Sequence, residues 1–333
     1  MPKGANLPGS AKKFALGSTA NTAALVPLPL PFPAERVRFD CTVTQAFDWP
    51  EYAGSMLRGA FGHALRAASC VTGATACGGC PLRTRCAYSV IFDPPSPIDW
   101  GRRTHPANTS SPPAYVVEPP MRRAGRIEAG ECFSFHMVLI GSAMAHHELI
   151  VAAVQRAVQR LGDGQPGSAH LDHWAVVNRP NQNSWLTGME RGAHIHLTSP
   201  LCIQHDRRPI KEDALLMASD VIMAAVKRVG AMAEMQLDIA HTDIDFPALT
   251  EQAKSIELGE RYLTWTEYRR RSNRQQRFIP LGGLIGSFTL TGDLAPFAYY
   301  LHVAQWLHIG KEYAFGLGGI AIKPLVGQGY LID

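Results

Sequence analysis

The chain has 333 residues, 46% of them hydrophobic and 18% charged, and a formal net charge of +4. That length accommodates two compact domains, each with a core of its own. So small a net charge excludes nucleic-acid binding by the surface as a whole and confines any such role to local clusters, and no apolar run reaches the ~18 residues of a membrane span.

Residues 1 to 34 carry Lys3, Lys12 and Lys13 ahead of "AALVPLPLPFP", whose prolines at 27, 29, 31 and 33 favour an extended, disordered leader over an inserted helix. A cytoplasmic protein is expected. The seven cysteines are an odd number, and four of them crowd into residues 70 to 86. This points to a reduced compartment and a local cysteine task, not a disulfide framework.

"ERVRFDCTVTQAF" alternates apolar and polar residues from Val37 to Val43 and predicts a strand. In "PEYAGSMLRGAFGHALRAAS", Leu57, Phe61, Ala64, Leu65 and Ala68 recur at helical spacing, which sets His63 and Arg66 on the opposite face, one turn apart. Cys70, Cys77, Cys80 and Cys86 follow as C-x6-C-x2-C-x5-C, with "CGGC" as a tight turn. Four thiolates suit a structural zinc ion; an iron-sulfur cluster or labile disulfides are the alternatives, and nothing nearby points to electron transfer. The proline-rich run "FDPPSPIDWGRRTHPANTSSPPAYVVEPP" reads as loop. "CFSFHMVLIG" predicts a strand and "HHELIVAAVQRAVQRLG" a helix ending at Gly162.

The second half repeats this order: strand "GAHIHLTSPLCI", helix "KEDALLMASDVIMAAVKRVG", strand or hairpin "FIPLGGLIGSFTLTG", helix "LAPFAYYLHVAQWLHIG" and closing strand "GGIAIKPLV". The pattern predicts an α+β protein of two tandem ferredoxin-like domains. The leader covers 1–34, the first domain 35–190 with an insertion at about 70–130, and the second 191–333.

Two segments carry the chemistry. "RYLTWTEYRRRSNRQQRF" sets Arg261, Arg269, Arg270, Arg271, Arg274 and Arg277 against one acid, Glu267, with Tyr262, Trp265, Tyr268 and Phe278 interleaved. Guanidinium forks grip phosphates and aromatic faces accept unpaired bases, so the mixture suits RNA; otherwise it is a basic surface turn. "WLHIGKEYAFGLGGIAI" is not a Walker loop, because Glu312 follows Lys311, and it leads into a strand where a dinucleotide fingerprint opens a helix. Its glycines, Gly310, Gly316 and Gly318 among them, either let the backbone lie against another polymer with amides free for phosphate oxygens, or make a tight turn. Cleaving RNA without a metal needs a proton acceptor, a proton donor and positive charge at the phosphorus. His308 can supply a proton step, with Lys311 touching phosphate. His146, His147, His194 and His196 have no carboxylate or cysteine at ligand spacing.

Residues 268 to 322, "YRRRSNRQQRF…GLGGIAI", resemble the C-terminal half of the CRISPR-associated repeat-cleaving endoribonucleases of the RAMP superfamily. That family's signature of glycine, apolar, glycine, five variable residues, glycine, apolar, glycine falls on His308, Ile309, Gly310, residues 311 to 315, Gly316, Leu317 and Gly318, with His308 in place of the first glycine. "LRGAFGHALRAASCVTGATACGGCPLRTRCAYSVIFDPP" is similar to the opening of its cysteine-bearing subgroup. The resemblance implies metal-independent cleavage of precursor CRISPR RNA within its repeats, leaving a 2′,3′-cyclic or 3′-phosphate and a 5′-hydroxyl. It further implies retention of the guide RNA beside other Cas subunits of an effector complex. It places the proton acceptor at His63 on the first helix, with Tyr52 as an orienting or acidic group. A non-catalytic RAMP subunit that caps the guide RNA is the alternative. A zinc-dependent DNA-binding regulator lacks a recognition helix after the cysteines.

Overall fold

The computed structural model describes residues 28–29, 31–95, 111–162, 167–180, 188–237, 239, 244–272 and 277–325, with the backbone alone at 270–272 and 277–278. Most of the expected leader, part of the proline-rich loop and Arg274 lie outside the described residues.

The first unit opens with β1 (Ala34–Val43), in which Val37, Phe39, Cys41 and Val43 are buried while Arg36, Arg38, Asp40 and Thr42 occupy the other face. A short β2 (Phe47–Trp49) leads to α1 (Gly54–Ser69) and α2 (Ala87–Phe92). β3 (Tyr115–Glu118), β4 (Gly125–Ile127) and β5 (Cys132–Ile140) follow, then α3 (His147–Val158) and β6 (Ala169–Asn178). The main sheet is antiparallel in the order β3-β5-β1-β6. Leu57, Phe61 and Leu65 of α1 and Ile150, Val154 and Val158 of α3 pack with the buried face of β1 and β5 in one core. Their i, i+4, i+8 spacing is the apolar stripe legible in the sequence.

The second unit runs β7 (Gly192–Leu201), a two-residue hairpin of β8 (Gln204–His205) and β9 (Arg208–Pro209), α4 (Ala218–Leu237), α5 (Phe246–Ala253), β10 (Glu257–Ser272), β11 (Arg277–Thr291), α6 (Ala298–Leu307) and β12 (Ile320–Pro324). Its sheet is again antiparallel, in the order β10-β11-β7-β12. In both units the four main strands, counted along the chain, lie as 2-3-1-4, with a helix after the first and another after the third.

The sequence expectations need three adjustments. The arginine-rich run is neither helix face nor turn: residues 257 to 272 are a sixteen-residue strand paired with β11. An exposed strand in a long hairpin tolerates arginine wherever one face meets water. The helix expected over 211–230 lies at Ala218–Leu237, because residues 213 to 215 form a separate single turn. β3 and β6 were not predicted. Among the described residues no helix is long and apolar enough to cross a membrane.

The face of the first sheet away from α1 and α3 meets the second unit. Ala34, Val116, Val138 and Ile140 on that face join the core formed by α4, α6, β7 and β11. One step along the same strands the residues turn polar: Glu118 on β3 is opposite His136 on β5, which is opposite Arg38 on β1. Side chains two apart on a strand share a face, so Arg36 belongs to this polar row. The apolar end holds the two units together, and the polar end opens into a cavity between them.

Candidate active site

That cavity, of about 380 Å³, is lined by Arg36, Glu118 and His136 from the first sheet, and by Thr198, Ser199, Gln305 and His308 from the second unit. Arg36 binds Glu118 in a two-pronged ion pair, Nε to Oε2 at 2.7 Å and Nη2 to Oε1 at 2.9 Å, and its guanidinium lies 4.6 Å from the Trp306 ring. Such a fork is fixed in direction as well as strong.

His308 completes the group. It follows α6 with φ 56° and ψ 156°, a backbone region that only glycine enters without strain, so the residue replacing the signature's first glycine keeps a glycine conformation. Its ring is 3% exposed. Nδ1 lies 3.0 Å from the Leu317 carbonyl and Nε2 3.1 Å from Glu118 Oε1. Both partners are acceptors, and only the imidazolium form donates to both. The ring therefore bridges the Gly-rich loop and the first sheet. The proton step expected of His308 is corrected by this geometry, since neither nitrogen is available to a substrate hydroxyl.

Glu118 is held ionised. Burial alone would raise its pKa, but the hydrogen bonds and charges of His308 and Arg36 outweigh burial and pull it down to about 2.

The loop itself, residues 308 to 319, is packed against both units. A Cβ at Gly316 would stand 2.2 Å from the Val117 carbonyl oxygen, and one at Gly318 would stand 1.8 Å from that of Ile309. The amides of Lys311, Gly316, Gly318 and Gly319 donate to Cys202 O, Tyr313 O, Pro200 O and Ser199 Oγ. The expectation that Gly316 and Gly318 present free amides to a phosphate is thus corrected: the close approach they permit is to the protein's own backbone. Gly310, with φ 79°, continues the turn, and the Lys311 side chain is exposed beside it.

Tyr52 is buried just before α1, stacked on Tyr268 of β10 at 5.3 Å, and its hydroxyl donates to the Phe315 carbonyl at 3.0 Å. Burial, with lesser effects of Tyr268 and Glu118, drives its pKa far up. Tyr52 thus clamps the loop. Arg58 of α1 reinforces the clamp, its guanidinium lying 4.7 Å from the Phe315 ring and 4.4 Å from that of Phe92.

His63 is exposed on α1. It lies nine residues beyond Gly54, about 13 Å along the axis, and does not line the cavity. Arg66 lies inward of that position: its Nη2 donates to the carbonyls of Ala74 and of Thr75, the latter at 2.9 Å, which ties the cysteine loop to the last turn of α1. A second cavity, of about 250 Å³, is lined by Cys70, Cys77, Cys80 and Cys86 together. Thr72 Oγ1 is 3.7 Å from the sulfurs of both Cys70 and Cys80, and the Thr72 hydroxyl followed by the Gly73 amide lowers the Cys70 pKa. Among the described residues no three His, Cys, Asp or Glu side chains stand together as a metal-holding group.

Of the arginine cluster, Arg261 donates to the carbonyls of Asp213 at 2.8 Å and Leu258 at 2.9 Å, whereas Arg269 is exposed. Arg270, Arg271 and Arg277 flank the hairpin tip in register with Ile279, Phe278 and Ser272.

Residues 195–320 match the family model of the CRISPR-associated endoribonuclease Cas6, and residues 31–195 match a family model for an N-terminal domain. Residues 195–320 belong to the Cas6 family. Among solved structures, a Cas6 product complex is similar at 14% identity and a TM-score of 0.50, covering 87% of this chain and 100% of that one. A partial Cas6-RT-Cas1–Cas2 complex is similar at 14% identity and a TM-score of 0.52, covering 90% of this chain. This chain spans 48% of the length of that relative. At such identities the likeness concerns the fold. No curated protein matches the sequence.

Against the Cas6 signature, the loop sits where its glycines are needed, at the seam between the units. Arg36, Glu118 and His136 are the site residues that the sequence reading missed. Their signal was faint: "AYVVEPP" holds three strand-forming residues ahead of Glu118, set between prolines that read as loop.

Proposed function

We propose that this chain binds the repeats of precursor CRISPR RNA and cleaves them by attack of a ribose 2′-hydroxyl on the adjacent phosphorus. The reaction leaves a 2′,3′-cyclic phosphate and a 5′-hydroxyl and needs no metal ion. The single observation that carries the reading is the polar cavity at the seam, where Arg36 and His308 converge on Glu118 beside the family's Gly-rich loop. The Arg36 guanidinium and the His308 ring present donors where a phosphate would enter. The two βαββαβ units are read as tandem ferredoxin-like domains. Exposed Arg269, the hairpin-tip arginines and Lys311 hold the RNA backbone. The family resemblance places a proton carrier at His63, but that residue is exposed on α1 and does not line this cavity. The cut guide RNA stays bound, in the cytoplasm, among other Cas subunits.

Cys70, Cys77, Cys80 and Cys86 line one cavity, and an all-sulfur set is the donor chemistry of structural zinc, although as placed no three of them stand together as a metal-holding group. When bound, the ion would fix the insertion to the end of α1, where Arg66 already anchors it.

A second reading, a non-catalytic subunit that caps the guide RNA, is favoured by one observation: Tyr52 and His308 are both committed to internal hydrogen bonds. Incubation with labelled repeat RNA in EDTA separates the two. Cleavage to a cyclic phosphate supports the nuclease, and tight binding that leaves the RNA intact supports the cap.

A further inference from the structure

Among the titratable residues that line the interdomain cavity, Arg36, Tyr52, Glu118 and His308 are all engaged in hydrogen bonds within the protein. The remaining one is His136, whose ring makes no hydrogen bond among the described residues. It sits on β5, paired on one side with β3 and on the other with β1, so its backbone is held from both edges. The residues directly opposite are Glu118 and Arg38, and their side chains share its face of the sheet. Met137 and Phe135 on either side of it point into the core, which aims the half-buried imidazole into the cavity. At about 380 Å³ the space falls within the range of small-molecule sites.

We propose that His136 is the general base, accepting the proton of the 2′-hydroxyl of a repeat nucleotide seated in this cavity. The assignment rests on the reading of the chain as a repeat-cleaving nuclease. In the step, an imidazole nitrogen takes the 2′-proton while the 2′-oxygen forms a bond to the adjacent phosphorus. The bond from phosphorus to the 5′-oxygen breaks, the 5′-oxygen takes a proton from water, and the imidazolium returns its proton to the hydroxide left behind. The products are the 2′,3′-cyclic phosphate and the 5′-hydroxyl.

The surroundings keep the imidazole in the form that can act. Burial and the nearby charges of Arg36 and Arg38 lower its pKa, against the opposing pull of Glu118 and Asp40, so the ring is neutral with a lone pair to offer. His308, on the far side of Glu118, has both ring nitrogens engaged, one with the Leu317 carbonyl and one with Glu118.

The test compares His136→Ala, His136→Gln and His63→Ala with the unsubstituted protein under single turnover on labelled repeat RNA, with the Kd measured in parallel. The expected result for both His136 variants is a rate lower by 10²- to 10⁴-fold with the Kd changed less than about threefold. Added imidazole should restore at least about tenfold of the rate to His136→Ala, a gain that a structural role would not produce. Cleavage by His136→Gln within about threefold of the unsubstituted rate overturns the assignment. So does a loss of rate matched by an equal loss of affinity and not rescued by imidazole, or full activity in His136→Ala beside an inactive His63→Ala. If the unsubstituted protein itself binds repeat RNA and leaves it whole, the parent reading fails, an outcome distinct from these.

Discussion

Glu118 and His308 stand 190 positions apart in the sequence and 3.1 Å apart across the seam between the two units. With Arg36 on the other side of the carboxylate, they form a hydrogen-bonded bridge from the first sheet to the Gly-rich loop. Removing the carboxylate leaves the Arg36 guanidinium and the His308 ring without their shared partner in a part-buried site, and breaking such a pair costs up to several kcal/mol. Glu118→Gln is therefore expected to lose about 2 to 4 kcal/mol in urea unfolding, and more than Glu131→Gln, whose carboxylate pairs with Arg122 at the surface.

The same bridge sets a pH dependence. The Glu118 carboxyl is depressed from its ordinary 4.5 to about 2, so its contribution is complete above pH 4.5 and is lost as the pH falls through 2. Linkage puts that contribution at up to about 3 kcal/mol. Thermal midpoints measured from pH 6 down to pH 2 should fall more steeply for the unsubstituted protein than for Glu118→Gln. Parallel curves would show that the bridge contributes nothing.

His308 combines strain with hydrogen bonding, and two substitutions separate them. His308→Gly loses both ring contacts but relaxes the backbone at φ 56°, whereas His308→Ala loses the contacts and keeps the strain. The alanine variant is expected to be the less stable of the two by about 1 kcal/mol, read from their urea midpoints.

Gly318→Ala forces a Cβ to within 1.8 Å of the Ile309 carbonyl at φ 76°, while Gly59→Ala, on the exposed face of α1, meets nothing within 4 Å. The first should cost at least about 2 kcal/mol and weaken repeat binding as the loop shifts. The second should be neutral or gain up to about 1 kcal/mol.

Tyr52→Phe keeps the stack on Tyr268 and deletes the hydrogen bond to Phe315. A loss of about 1 kcal/mol of stability and less than about tenfold of cleavage rate is expected. A fall of a hundredfold or more would make the hydroxyl a proton donor, as general acid catalysis requires.

The helices α1 and α3 were legible because a one-sided apolar stripe is a strong periodic signal. β6 was not: beyond Leu171 its residues "DHWAVVN" are almost all exposed, so no alternation marks it. β10 alternates half-buried and exposed residues from Arg261 to Trp265, but the arginine run beside them reads as a basic turn. The cysteine cluster, the Gly-rich loop and His308 were visible as local patterns. Their partners were not, because Glu118, Arg36 and His136 reach the site only through strand register and the packing of one unit on the other. The loop's glycines illustrate the limit: the sequence shows that the backbone must come close to something, and the fold shows that it comes close to itself.

The central claim, that repeat RNA lies in the cavity at the seam, is tested most directly by crosslinking. Repeat RNA carrying photoreactive nucleotides around the cleavage site is bound to the protein, irradiated and mapped by peptide mass spectrometry. The account predicts adducts on the peptides that hold Glu118, His136 and residues 305 to 319. Adducts confined to α1 around His63 and to the cysteine loop, with none at the seam, would contradict it.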